Sequence, residues 1–410
     1  MLLSVAVARA ERIAIGDPTR PRIVNGLTSH AYPTTGALLR SAGGAIDLHN
    51  ASTWCSGTLI GCRTFLVAAH CVEDLSPSRY LVYLQHAGVF AVAAIARHPD
   101  ASDESFPVAD VAVLTLDDWV TGIAPTPITV VDPTLVIPAT GTIVGFGQTW
   151  GSGNDYGIKR AGMVQTDACP LGLPNGVGEP DVVCWTFAGP VGPPGEDSNT
   201  CNGDSGGPLL LDLGVGPVVA AVTSGGTSGD CLATDHSYDA SVHANRSFIV
   251  AARGDDATAT CGNLPAVGTA ETTVIGHDGS LGASNLSDSY TITVPAGANQ
   301  LRVALNGEDN GSFDVDLYLK AGPGAGPGDF DCKADAAGVF GACGVDFPAP
   351  GSWSIAVQRA AGSGDYQITS TILRGTAPLC GDGGRDFNEA CDGADAARCP
   401  GLCQGDCRCP

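Results

Sequence analysis

Positive charge is scarce in this chain. Against 43 Asp and Glu there are 20 Lys and Arg, a net charge of -23, so phosphate backbones and anionic lipid surfaces are repelled rather than recruited. Long apolar runs are also missing: no segment approaches the ~20 consecutive apolar residues that cross a bilayer as a helix. Charged residues of all kinds make up only 15%, whereas 56 Gly and 27 Pro interrupt the chain, which speaks against long helices and for a loop-rich, mainly β protein. Metal-type cysteine tetrads are absent too. The 16 cysteines are even in number and spread along the sequence, a pattern that suits disulfides in an oxidising compartment and calls for no metal or cofactor.

A length of 410 residues is enough for two or three domains. Met1 to Ala8 is apolar and leads into Ala8-Arg9-Ala10, an A-x-A-like cleavage signal without a basic start. Residues 1–10 are read as the tail of a secretory signal, with a short buried strand as the alternative. From residue 23 to about 258, short β-type runs such as Phe65-Leu-Val-Ala68 and Val111-Ala-Val-Leu114 alternate with turns, and Asn245 to Arg253 is the best helix candidate. Residues 269–374 show period-2 alternation. Tyr290, Ile292 and Val294 share one strand face, as do Leu301, Val303 and Leu305, then Val315, Leu317 and Leu319, and finally Trp353, Ile355 and Val357. This predicts a β-sandwich. Residues 379–410 carry six cysteines and little that could form a core.

The chemistry concentrates in Cys201-Asn-Gly-Asp-Ser-Gly-Gly-Pro208. Three glycines allow a tight turn whose N–H groups approach a ligand without obstruction, and the N–H groups of Gly203 and Ser205 can converge on a developing oxyanion. Ser205 needs a base and an orienting acid to become a nucleophile. His70 ends an apolar strand amid small residues, Ala68-Ala-His-Cys71, and Asp110 opens the apolar run Asp-Val-Ala-Val-Leu-Thr-Leu116. Taken singly, each is weak among eight histidines and 43 acids. Together they occur in the chain order His, Asp, Ser.

On those three motifs residues 23–258 resemble the trypsin/chymotrypsin-like serine proteases. The resemblance implies two six-stranded antiparallel β-barrels with His70, Asp110 and Ser205 at their junction, as general base, orienter and nucleophile, and peptide-bond hydrolysis through an acyl-enzyme. Arg22-Ile-Val-Asn-Gly26 is similar to the family's activation junction, which makes residues 11–22 a propeptide. Cleavage would free the Ile23 amine to pair with Asp204 inside the protein, where an unpartnered carboxylate is costly. The pocket for the substrate side chain is implied at Asn199, Ser224, Gly225 and Gly226, with His236 either at its border or an ordinary loop residue. The family's trypsin-like members carry aspartate where this chain has Asn199; Asp197 lies two residues too early. A neutral floor suits neutral side chains. It also makes Arg22 a poor substrate for the chain itself, so a separate trypsin-like activating protease is expected beside polypeptide substrates. The same resemblance implies disulfides Cys55–Cys71, Cys169–Cys184 and Cys201–Cys231, and parity pairs Cys62 with Cys261.

Ser289-Tyr-Thr-Ile-Thr-Val-Pro-Ala-Gly297, Phe313-Asp-Val-Asp-Leu-Tyr-Leu319 and Gly351-Ser-Trp-Ser-Ile-Ala-Val357 give residues 269–374 a resemblance to the bacterial pre-peptidase C-terminal (PPC) domain. Such modules are often removed in maturation or assist binding. Cys332–Cys343 would close a loop there, and Asp314 and Asp316 form either a solvated strand face or a calcium site. The tail resembles Cys-rich repeats of bacterial secreted proteins, with three disulfides favoured over a zinc knuckle. The expectation is a mainly β, secreted serine endopeptidase made as a zymogen. The competing class is a catalytically silent binding or adhesion protein that keeps the protease fold.

Overall fold

Gly- and Pro-bounded runs of alternating residues become strands nearly everywhere in the computed structural model, which describes residues 23–189, 193–257 and 272–374. The leader, the propeptide, the Cys-rich tail and Cys261 lie outside the described residues. Six strands, β2 (Thr35–Ser41), β3 (Ala51–Leu59), β4 (Thr64–Val67), β5 (Tyr80–Leu84), β6 (Gly88–Arg97) and β7 (Ala112–Leu116), close into a barrel in the order β2-β3-β4-β7-β6-β5. A second ring follows from β8 (Thr140–Gly145), β9 (Arg160–Asp167), β10 (Val182–Phe187), β11 (Pro208–Asp212), β12 (Pro217–Gly226) and β13 (Asp235–Ser241). Pairing of β8 with β9 closes that ring, and the short β1 (Leu27–Thr28) adds to the outer edge of β9. Closure removes the unpaired edges that would otherwise template aggregation.

The two barrels share a core. Phe65, Leu66 and Leu114 from the first pack in one cluster with Val144, Leu210, Val219 and Val222 from the second. The expected helix forms as α1 (Arg246–Arg253) and buries Ile249 in that same cluster. Its end is fastened to the first barrel by Asp256, whose Oδ2 accepts from Arg63 N at 2.9 Å and from Thr64 Oγ1 at 2.5 Å. Cys62, next to this contact, is itself disulfide-bonded.

The predicted sandwich has two four-stranded sheets. One runs β14 (Thr272–Leu281), β21 (Gly364–Leu373), β16 (Gln300–Gly307), β19 (Gly341–Asp346); the other runs β15 (Ser287–Val294), β20 (Gly351–Ala361), β17 (Asp314–Ala321), β18 (Cys332–Ala334). Leu301, Val303, Leu305, Val315, Leu317, Leu319, Ile355 and Val357 fill the space between them, as their alternation requires. Asp314 and Asp316 are half-buried on the opposite face of β17.

Strand β16 shows what alternation could not. Its second face is buried as well, because it lies against the barrels instead of water. Arg302, buried there, donates from Nη1 to Thr121 O at 2.8 Å and from Nη2 to Thr121 Oγ1 at 2.9 Å. Asn306, wholly buried, accepts from Tyr83 Oη at 3.1 Å and donates to Gly157 O at 2.7 Å. Around these polar contacts Ala37, Leu39, Tyr83 and Phe146 of the barrels join the sandwich residues in one apolar cluster, with the Tyr83 and Phe340 rings 5.0 Å apart.

Candidate active site

His70 sits in a single tight helical turn, Ala69–Val72, directly after β4. Ala68 and Ala69 are buried, so small side chains are needed for the turn to press against the second barrel. Asp110 stands just ahead of β7, which pairs with β4; the sheet register thus brings His70 and Asp110 side by side. His70 Nδ1 is 2.8 Å from Asp110 Oδ2, and the His70 backbone N–H donates to Asp110 Oδ1 at 2.9 Å. Both carboxylate oxygens are committed to His70, which favours the tautomer that carries the proton on Nδ1. Burial works against charging the His70 ring, but the hydrogen bond and charge of Asp110, helped by Glu73, outweigh it and hold the pKa above the usual histidine value.

Ser205 is half-buried, in the turn before β11. Its carbonyl accepts from Ser56 N at 2.8 Å and lies 3.7 Å from Cys71 Sγ, the neighbour of His70. Ser56, on β3, also binds the turn through Oγ, which donates to Gly203 O at 2.9 Å. Gly203 takes φ +90°, a conformation most side chains resist. The N–H groups of Asp204, Gly206 and Gly207 are consumed by Cys201, Thr223 and Asp204 carbonyls. Those of Gly203 and Ser205 donate to no acceptor among the described residues.

Asp204 is fully buried; Oδ1 accepts from Gly147 N at 2.8 Å and Oδ2 from Cys201 N at 2.9 Å. Burial pushes its pKa up to about 7 despite those two N–H groups and the nearby Arg160 charge. Sequence reading missed the cradle. A Cβ on Gly145 would stand 2.1 Å from Asp204 Oδ1, and one on Gly147 would stand 2.6 Å from its carboxyl carbon. Ile23 is also fully buried, packed with Val183 and Trp185 of the second barrel. Its φ of +44° is strained for a β-branched residue. The next residue, Val24, bridges to Asn199, whose N donates to Val24 O at 3.1 Å.

Asn199 is buried with every polar atom used: Oδ1 accepts from Trp185 Nε1 at 3.3 Å and Ser237 Oγ at 2.6 Å, while Nδ2 donates to Cys231 O at 3.2 Å and Asp235 Oδ2 at 2.8 Å. Asp235 is the second residue that sequence reading missed. A Cβ on Gly226 would stand 2.6 Å from its Oδ2, so this carboxylate occupies the space beneath the β12 edge. Oδ1 accepts from Thr227 Oγ1 and Ser228 N, and no salt bridge neutralises it among the described residues. His236, considered for that border, points the other way and bonds Thr186 Oγ1 at 3.0 Å; neighbours on a strand face opposite sides. Asp197 is half-buried at φ +53° away from this spot, offering its carbonyl to Asn25. Gly225 leaves room for the Tyr238 ring, whose Oη would be 2.9 Å from a Cβ there. Ser224 is buried beside it. Disulfides Cys55–Cys71, Cys169–Cys184, Cys201–Cys231 and Cys332–Cys343 are formed.

Residues 286–359 match the bacterial pre-peptidase C-terminal domain. Trypsin alpha-4 of Lucilia cuprina is 28% identical over 247 residues, 56% of this chain and 87% of that protein. The solved structure of neuropsin, a serine protease expressed in the limbic system of mouse brain, covers 55% of this chain and 96% of its own at 21% identity and a TM-score of 0.44. Residues 27–249, more than half of the sequence, match the trypsin family model: the chain belongs to the trypsin family.

Proposed function

We propose that the protein is a secreted serine endopeptidase made as a zymogen, in which His70, Asp110 and Ser205 form the catalytic triad. The His70–Asp110 pair carries this reading, since a buried carboxylate that fixes the imidazole tautomer is what a general base requires. Ser205 Oγ attacks the scissile carbonyl and gives its proton to His70 Nε2. The Gly203 and Ser205 N–H groups receive the oxyanion, His70 protonates the leaving amine, and water then releases the acyl group by the reverse steps.

Activation at Arg22–Ile23 is supported by Asp204 and by the Ile23 backbone. A buried acid whose pKa is raised by desolvation gains from a nearby ammonium. The strained φ of Ile23 exists only while Arg22 is attached, so cleavage abolishes that torsion along with its cost, on the order of 1–3 kcal/mol. The boundaries 11–22 for the propeptide, 23–258 for the protease domain and 269–374 for the sandwich belong to this proposal, as does the secretory reading of residues 1–10.

For specificity, Asp235 changes the expectation drawn from Asn199. A buried, unneutralised carboxylate bonded to the pocket floor favours a cationic substrate side chain over a neutral one. Arg22 then suits the chain's own pocket, and specificity no longer demands a separate activating protease. The test is hydrolysis of a peptide library by the chain after cleavage at Arg22. Cleavage concentrated after Arg or Lys, and lowered about 10⁶-fold in kcat by Ser205→Ala, is expected; equal turnover by the Ser205→Ala chain contradicts the triad, and no turnover by wild type supports the silent binding protein.

A further inference from the structure

The loop between β8 and β9 touches both the oxyanion turn and the sandwich. Toward the turn, Gly147 N binds Asp204, Gln148 N donates to Asn202 O at 2.9 Å, and Asn202 Nδ2 donates to Gln148 Oε1 at 3.2 Å. The Tyr156 ring lies on Gly203 itself: a Cβ there would stand 2.8 Å from Cδ1 and 2.9 Å from Cε1. The other side of the loop is held by the sandwich. Asp309 N donates to Tyr156 O at 2.9 Å, Asn306 Nδ2 to Gly157 O at 2.7 Å and Asn154 Nδ2 to Asn310 O at 3.0 Å. Lys159 N donates to Gln367 Oε1 at 2.8 Å. Gly157 lies so close to the sandwich that a Cβ on it would sit 2.3 Å from Gly307 O. Asp309 returns to the first barrel, its Oδ2 accepting from Thr53 N at 2.6 Å.

We propose that Tyr156 is a positioning residue for the oxyanion donors, set in place by the sandwich, so that the C-terminal module is a working part of the peptidase and not a removable rider. A glycine turn is soft, yet its N–H groups act only when they lie within a few tenths of an ångström of the developing charge. The ring stops Gly203 from one side, and hydrogen bonds from Asp309 and Asn306 keep the ring's backbone from retreating. The inference rests on the peptidase reading and specifies where its catalytic geometry is fixed.

The test uses the full chain cleaved at Arg22, with Tyr156→Ala, Tyr156→Phe and Asn306→Ala variants. Each is assayed for kcat, KM and affinity for a peptide aldehyde, whose serine adduct presents an oxyanion. Tyr156→Ala and Asn306→Ala are expected to lower kcat and aldehyde affinity together by about 10-fold, below the ~100-fold or more of losing a donor outright. KM should stay within about twofold, and Tyr156→Phe, which keeps the ring, should match wild type. Should Tyr156→Ala fail to fold, Asn306→Ala and Tyr156→Phe still decide. An unchanged kcat and aldehyde affinity in the alanine variants overturns the inference while wild-type turnover keeps the peptidase reading intact; an inactive wild type overturns both.

Discussion

At the scale of single residues, the proposed pocket turns on Asp235. Asn199 by itself is neutral, and the sequence invites a neutral substrate side chain. In the proposed pocket, the carboxylate 2.8 Å from its Nδ2 reverses that sign. Asp235→Asn is expected to reduce the preference for Arg over a neutral side chain by roughly 10- to 100-fold, the worth of one charge-assisted hydrogen bond, measured as a ratio of kcat/KM values. A ratio unmoved by the substitution assigns Asp235 a purely structural role. The motifs holding His70, Asp110 and Ser205 stand out in the sequence because each has constrained neighbours, and the structure brings His70 and Asp110 together. Asp235 does not stand out, because an acidic residue at the polar start of a strand, β13, carries no local mark. Its partner is 36 residues away in sequence, and which of Asp235 and His236 faces the pocket depends on strand register.

At the scale of elements, the proposed activation at Arg22–Ile23 would act through the turn around Asp204. Strand alternation and the helix at Arg246–Arg253 could be read from the chain because local pattern constrains them, and the four disulfides were implied by the family resemblances. The second buried face of β16 could not be, since alternation reports how many faces are apolar and Arg302 and Asn306 are polar. Asp204 has a folded pKa of about 7, above its usual 3.8. Its protonated form is therefore the one that folding favours. The stability it contributes is complete below pH ~4 and is lost as pH rises through about 7. The uncleaved Ser205→Ala chain is expected to lose Tm between those values more steeply than its Asp204→Asn counterpart. Cleavage at Arg22 is expected to restore Tm above pH 7 by supplying the Ile23 ammonium. Parallel Tm profiles for the two uncleaved chains contradict this coupling.

At the scale of the whole molecule, two barrels and a sandwich share buried polar and apolar contacts, so the third layer is continuous with the first two. Described strands place the proposed base and its acid on paired elements of one barrel and the nucleophile's turn on the other. The central claim is that this junction activates a serine. The most direct measurement is labelling by a fluorophosphonate, mapped by peptide sequencing, before and after cleavage at Arg22. Rapid labelling confined to Ser205, faster after cleavage and abolished by His70→Ala, is the expected result. Labelling that is absent from the cleaved chain, or that survives His70→Ala at the same rate, contradicts the account.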